Sequence, residues 1–401
     1  MTDLNIARLR LHNQLLSQST LKAPGDGVAW MGAVQAQDYG AAKWALGLRL
    51  PGVSDDAVEQ AFSDGAILRT HILRPTWHFV SPADIRWLLA LTAPRVHAFN
   101  AYYYRKLGID DALGARSNEV MAKALAGGKQ LTRPELISAL QQAGIVADDP
   151  LRFTLLVMHA ELDGVICSGA RRGKQFTYAL LDERVPQART LDHDEALAEC
   201  TRRYFSSHGP ATLQDFSWWS GLSKDEAKVG LELVASHLLH EVVGSQTYWF
   251  APTSPSEEQT ALQAHLLPNF DEYTVGYTDR STLLDSSHKH KLDARSGILD
   301  YVMVLNGQIV GYWKRTLSKS TVNITLQPFA TLNEAEMLAF EEAGKRYGEF
   351  LGKAVISPPL PPQGDREGRP YKDTVTSPPP PLQGDREGRP YKDTPPSPEN
   401  P

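Results

Sequence analysis

Nowhere in the chain do eighteen apolar residues run together, so no stretch reads as a membrane-spanning helix. The first ten residues mix Asp3, Arg8 and Arg10 among their apolar positions and do not read as a secretory leader. Cysteine is nearly absent: Cys167 and Cys200 stand alone, without a CxxC or a Cys/His cluster. That spacing excludes a disulfide framework and a structural zinc site, and both thiols are expected to be reduced. No Gly-rich phosphate loop, HExxH helix or Ser-His-Asp grouping is evident, so nucleotide, zinc-protease and serine-hydrolase readings lack support. Excess positive charge is missing too. The net charge is −6, which taken by itself counts against a nucleic-acid partner.

What is present is a chain of 401 residues, 42% apolar and 22% charged. It is long enough to bury a sizeable core in roughly two to four units. The expected class is a soluble α+β protein of the cytoplasm. Basic residues gather locally at Arg171-Arg172-Gly173-Lys174, His288-Lys289-His290-Lys291 and Lys314-Arg315, each near an expected hairpin turn from which side chains reach phosphates.

Read in order, Leu4 to Leu16 has helical spacing, and a second helix starts at Asp26-Gly27 and runs through Val34. Ser54 caps a third helix that Gly65 stops, and the β-branched and aromatic stretch from Ile67 to Val80 follows as a hairpin. Helices followed by a hairpin form a winged-helix pattern, and the pattern recurs twice. Asp84–Tyr104, a short helix Glu119–Ala126, a helix capped by Thr132 and Glu135, and Arg152–Leu162 lead to a wing tipped by Arg171, Arg172 and Lys174. A helix Glu195–Ser206, two more capped by Thr212 and Ser223 around Gly221, and the wing Glu241–Phe250 make the third copy. Beyond Pro255 the texture turns to strands at Tyr273–Tyr277, Ile298–Leu305, Gln308–Thr316 and Ser320–Pro328, with an Asn306-Gly307 turn. A helix Leu332–Leu351, capped by Thr331 and Glu334, closes the domain.

The expected architecture is therefore three tandem winged-helix units followed by a small β-rich domain. The units are residues 1–82, 83–188 and 189–255, then the β-domain with its C-terminal helix at 256–356. The remainder, 357–401, repeats Gln363–Thr374 without change at Gln383–Thr394 and holds roughly half of the 27 prolines. It is expected to be disordered and dispensable.

Chemistry concentrates in Ala33-Val34-Gln35-Ala36-Gln37-Asp38-Tyr39. Two amides two residues apart project from one side of an extended segment. Such a pair cannot remove a proton as a carboxylate does, but it can orient a nucleophilic water and turn carbonyl oxygens toward developing positive charge. The same two residues would serve equally well as caps at a helix end. A second cluster, Arg69 to His78, places Arg69 and His71 on one strand face and Arg74 at the Pro75 bend. Those three are candidates for phosphates flanking a lesion, or else for satisfied sheet residues. Asp271-Glu272, on a strand, would face opposite ways, which favours a structural role.

Three motifs in order, VQAQD, RTHILRPTWHFV and LLPNFDEYTVGYTDRS, together resemble the winged-helix DNA glycosylases that unhook interstrand crosslinks, the family of the azinomycin-resistance glycosylase. The resemblance spans about Leu4 to Leu351. It implies tandem winged helices and a β-domain in a C-shaped scaffold, with a Gln-x-Gln or Gln-x-Asp signature on the concave surface. Gln35 and Gln37 match that signature and become the expected catalytic pair, with Asp38 and His71 as supporting candidates. Arg69, Arg74, Arg171, Arg172 and Lys174 become candidate DNA contacts. The implied activity is monofunctional, metal-free and cofactor-free hydrolysis of the N-glycosidic bond of N7-alkylated guanine in double-stranded DNA. The expected setting is a monomer at the bacterial nucleoid. Two other functions fit the sequence: a non-catalytic regulator that lays the Ser223–Val234 helix in a major groove, and a protein-interaction scaffold. Salt-dependent binding to plain duplex separates the first two readings from the third.

Overall fold

The computed structural model describes residues 2–252, 262–284 and 300–356. The chain opens with α1 (Asp3–Asn13) and α2 (Pro24–Met31), then β1 (Val34–Gln35), α3 (Tyr39–Arg49), α4 (Asp55–Asp64) and the hairpin β2 (Leu68–His71) and β3 (Trp77–Val80). Helix α2 stops short of the expected end because Gly32 takes a positive φ and Val34 pairs with Phe79 in the sheet. Helix α3 has no counterpart among the sequence expectations. Its two glycines and lack of a capping box hide it, yet Asp38 accepts from the Ala41 amide and starts it.

A second set of elements follows: α5 (Ile85–Lys106), α6 (Asp111–Leu125), β4 (Leu131–Thr132), α7 (Arg133–Gln142), α8 (Pro150–Leu162), β5 (Ile166–Ser168), β6 (Thr177–Leu180) and the short α9 (Leu181–Arg184). Asp110 caps α6, which therefore begins well before the expected Glu119. The third set is α10 (His193–Ser207), α11 (Leu213–Ser220), α12 (Lys224–Val234), β7 (Leu239–Val243) and β8 (Gln246–Phe250). Capping boxes at Thr132, Thr212 and Ser223 stand where the sequence places them.

The C-terminal part holds β9 (Ala264–Leu267), α13 (Glu272–Val275), β10 (Val302–Leu305), β11 (Gln308–Leu317), β12 (Thr321–Pro328), α14 (Glu334–Leu351) and β13 (Ala354–Ile356). The sheet order is β13-β12-β11-β10-β9, antiparallel except for the β12–β13 pair. Asn306 and Gly307 both take positive φ at the expected turn. Two expectations are corrected. Tyr273–Tyr277 is not a strand: Asp271 caps a helical turn there. Helix α14 is capped by Asn333 and not Thr331: the Asn333 side chain accepts from the Glu336 amide at 3.0 Å and the Glu336 carboxylate accepts from the Asn333 amide at 2.9 Å. The basic cluster at 288–291, the start of the strand expected from Ile298, and the repeats after residue 356 lie outside the described residues.

The small sheet β1-β3-β2 is the pivot of the fold because both its faces are buried. Ala33, Leu68, Ile72 and Val80 face a core shared with α5, α10 and α11, including Trp87, Tyr204, Phe216 and Trp219. Val34, Ile67 and Phe79 face the opposite core, which joins Trp44 of α3 to Trp313 of the large sheet and Phe350 of α14. Period-two alternation thus sends neighbouring residues of one strand into two different cores.

His265, on β9, is buried with neither ring nitrogen bonded among the described residues. Burial pushes its pKa down to about 3, with Arg346 adding to the effect. The unfolded chain takes up this proton near pH 6.5 and the folded chain does not, so stability falls as pH drops from about 6.5 toward 3. At pH 5 this histidine alone is expected to cost about 2 kcal/mol relative to pH 7. Urea unfolding at the two pH values should show a smaller difference in His265→Phe than in the native chain; an equal difference would contradict the assignment.

Candidate active site

The Gln-x-Gln segment is the crossing from a strand to a helix. Gln35 ends β1, Ala36 continues the ladder by donating to the Trp77 carbonyl at 2.7 Å, and Asp38 caps α3 at 3.0 Å from the Ala41 amide. Gln37 lies between them, half-buried, with its Oε1 accepting from the Trp77 amide at 3.4 Å. Gln35 is opposite His78 on β3, and His78 is opposite Thr70 on β2, so the three side chains form one row. Each carries an enclosed polar atom without a partner among the described residues: Gln35 Oε1, His78 Nε2 and Thr70 Oγ1. Buried polar groups are ordinarily satisfied, so a row of three marks a place built to receive hydrogen bonds.

The protonation of His78 follows from its surroundings. Its Nδ1 lies 2.9 Å from the Thr76 carbonyl, which only accepts, so Nδ1 holds the proton and Nε2 presents a lone pair. Burial, and then the nearby Arg74 guanidinium, push its pKa down to about 3. The ring is neutral at physiological pH.

On the same side lies a carboxylate that sequence reasoning assigned to structure. Glu272 is fully buried, with Oε1 accepting from the Gln35 backbone N–H at 2.7 Å and Oε2 from the Trp219 indole at 3.0 Å. His208 Nε2 stands 3.4 Å from Oε2. Burial alone would raise the carboxyl pKa, but the His208 hydrogen bond and the charges about it hold it down at about 2. Burial likewise keeps the His208 pKa below its ordinary value, while the bond to Glu272 opposes that shift. The sequence misses Glu272 because a strand would turn Asp271 and Glu272 to opposite faces. Asp271 is instead the extended cap of a helical turn whose first residue is Glu272. Asp271 accepts both Arg49 Nη atoms at 2.8 Å each, and Glu272 reaches Gln35.

Strain accompanies this arrangement. Leu73, before Arg74, and Phe270, before Asp271, are non-glycine residues at φ 62° and 57°. Gly221, at the end of α11, lies so close to this turn that a Cβ would stand 2.0 Å from the Leu73 carbonyl oxygen, and its own φ is +72°. Gly221→Ala is expected to lower the unfolding free energy by about 1–3 kcal/mol. Denaturant titration checks this; an unchanged midpoint would contradict it.

The other predicted residues divide between the two faces of the sheet. Arg69 and His71 point away from Gln35. Arg69 is buried, donates to the Ala36 carbonyl at 3.0 Å and lies over the Trp77 and Phe176 rings. It braces the loop from behind and is not an exposed phosphate ligand. His71 is buried against Glu161 and Trp77, so it supports the sheet and does not reach the glutamine pair. Asp38 is occupied as a helix cap. Arg171 stacks on Tyr39 and Phe176, tying the second hairpin to the segment after Asp38. Arg172 is exposed and paired with Glu135 at 2.8 Å, and Lys174 is exposed. Arg74 lies on the Gln35 side, half-buried, 5.5 Å from the Trp218 ring, with Nε and Nη2 unpartnered among the described residues.

A family model for AlkZ-like DNA glycosylases matches residues 28–350, which takes in the glutamine pair, the hairpins β2–β3, β5–β6 and β7–β8, and α13. The chain belongs to the AlkZ-like DNA glycosylase family. It is 25% identical over 323 residues to an interstrand DNA cross-link repair glycosylase of Streptomyces sahachiroi, a match that covers 76% of this chain and 85% of the relative. The solved structure of Streptomyces sahachiroi DNA glycosylase AlkZ shares the fold, with a TM-score of 0.74 at 22% identity, over 89% of this chain and 99% of that one. The chain is thus a DNA glycosylase by family, and among its described residues no helix is long and apolar enough to cross a membrane.

Proposed function

We propose that this AlkZ-like glycosylase hydrolyses the N-glycosidic bond of N7-alkylated guanine in duplex DNA, interstrand crosslinks included, with a water held by Gln35 and Gln37. The observation that carries the reading is the row of enclosed polar atoms headed by Gln35 Oε1, beside a half-buried Gln37 at the surface end of the same segment. Alkylation at N7 leaves the base cationic. When the C1′–N9 bond breaks, its electron pair neutralises the base and the positive charge passes to the sugar, so no acid is needed to protonate the leaving group. Two amide oxygens suffice to orient water toward C1′ and to face the oxocarbenium charge. The water adds its oxygen to C1′ and its proton passes to solvent. Three helix groups, each ending in a hairpin, fit a tandem winged-helix scaffold that presents Arg74, Arg172 and Lys174 to phosphates.

A test on crosslinks uses a duplex carrying one nitrogen-mustard bridge between guanines. Incubation with the protein is expected to convert the slow-migrating crosslinked species into single strands on a denaturing gel, at a rate well above the spontaneous one. A crosslinked band that decays only at the spontaneous rate would count against unhooking.

A further inference from the structure

The glutamine pair carries no charge, yet the interior beneath it does. Glu272 supplies both acceptor oxygens to three donors: the Gln35 backbone N–H, the Trp219 indole N–H and His208 Nε2. Gln35 lies on the edge strand of its sheet, so its N–H has no neighbouring strand to receive it and is taken by a side chain instead. The carboxylate is positioned from behind by the chelation of Asp271 by Arg49, which fixes the first turn of α13. Burying a carboxylate is costly, and a neutral acceptor would suffice to hold one backbone amide. Two features point past simple anchoring: the acceptor is charged, and it is locked by two further donors at a distance of one hydrogen bond from Gln35.

We propose that Glu272 is the charged positioning residue of this glycosylase: it fixes Gln35 through the backbone amide and places a buried negative charge beneath the glutamine pair, opposite the positive charge that develops on the sugar. The inference rests on the glutamine reading. A fixed charge in a water-poor interior acts with little screening and without reorganisation during the reaction. It stabilises the oxocarbenium ion more than the ground state, because in the ground state the positive charge resides on the base. Facing Glu272 are Tyr204 from α10, His208 just after that helix, His78 from β3, Arg74 from the β2–β3 turn, Arg49 from α3 and Tyr277 after α13. Two of these, Arg74 and Arg49, are permanently cationic and favour the ionised form.

The experiment uses the full chain and a duplex with a single N7-methylguanine, under single-turnover conditions, alongside duplex affinity. Glu272→Gln keeps one acceptor and loses the charge. Its rate is expected to fall about a hundredfold, with the dissociation constant for the duplex within threefold of the native value. Trp219→Phe removes one donor to the carboxylate, so Glu272 protonates more readily. The ratio of its rate to the native rate should therefore hold level from pH 8 to about pH 5 and decline from there toward pH 4, whereas simple structural damage lowers both ends equally. A folded Glu272→Gln protein with the native rate would overturn the proposal. If that variant does not fold, a Trp219→Phe ratio that stays flat with pH overturns it instead, and a declining ratio supports it. Native protein that releases no base refutes the glutamine reading itself, a result distinct from either of these.

Discussion

Replacing Gln35 and Gln37 together by alanine is expected to lower the rate of N7-methylguanine release by about a thousandfold or more, while duplex affinity changes little. The reasoning lies in where the two amides are fixed. Gln35 is held on both sides of its backbone, by the ladder to β3 and by Glu272, and its side chain is nearly enclosed. Gln37 is tethered through Trp77 and half-exposed, so it stands where water and DNA arrive. Truncation at Gln35 leaves a space beside His78, whereas Gln37 is half-exposed and its truncation opens none, so a folding control accompanies the rates. Each single change is expected to cost about a hundredfold, and the pair less than the product, because both oxygens act on one water. Single-turnover assays with circular dichroism as a folding control measure this. Release at the native rate by the double variant would remove the glutamines from the mechanism.

The second large effect is on stability. Arg49 is 1% exposed and Asp271 is likewise buried, and the guanidinium chelates the carboxylate through two 2.8 Å bonds while also donating to Gln14 Oε1 and the Ala45 carbonyl. Burial opposes the arginine's charge, and Asp271 restores it, holding the guanidinium above its ordinary pKa. Arg49→Met leaves an uncompensated carboxylate in the interior and is expected to lower the unfolding free energy by about 3–5 kcal/mol. Adding Asp271→Asn to the same chain removes the stranded charge and should restore part of that loss. Urea unfolding of the two variants checks both statements. A loss below about 1 kcal/mol in Arg49→Met would show that the pair is not the buried clamp described here. Because Asp271 also caps α13, the same variant should lose base-release activity at temperatures where it remains folded.

Much of the fold can be read from local signals. Ser54, Thr132, Thr212 and Ser223 announce their helices because a side-chain cap is a short-range interaction, written within four residues. The two-residue turn at Asn306-Gly307 is legible for the same reason. Two adjacent residues show where local reading fails. Asp271 and Glu272 look like strand residues among aromatics, and only the distant partners Arg49, Gln35, Trp219 and His208 reveal a helical turn that splits them into a clamp and a charge.

At the site itself, Gln35 and Gln37 stand out as two amides on one side of an extended segment, a pattern that a helix cap would share, and the resemblance of the surrounding motifs is what singles them out. The alternation of β2 correctly puts Arg69 and His71 together, but it does not say which of two cores they face. That depends on the register of β1 against β3, and on both faces of a three-stranded sheet being buried. Arg69 thus becomes a brace under aromatic rings, and His78, seven residues from His71, takes the place beside Gln35.

The most direct measurement follows the free base. The native protein is mixed with a duplex bearing one N7-methylguanine, and released base is quantified by chromatography while the strand is examined before and after alkali. Water-mediated hydrolysis predicts stoichiometric N7-methylguanine, a strand that stays whole until alkali cleaves it at the abasic site, and no borohydride-trapped protein–DNA adduct. Release no faster than the spontaneous rate, or a trapped covalent adduct, would contradict the account.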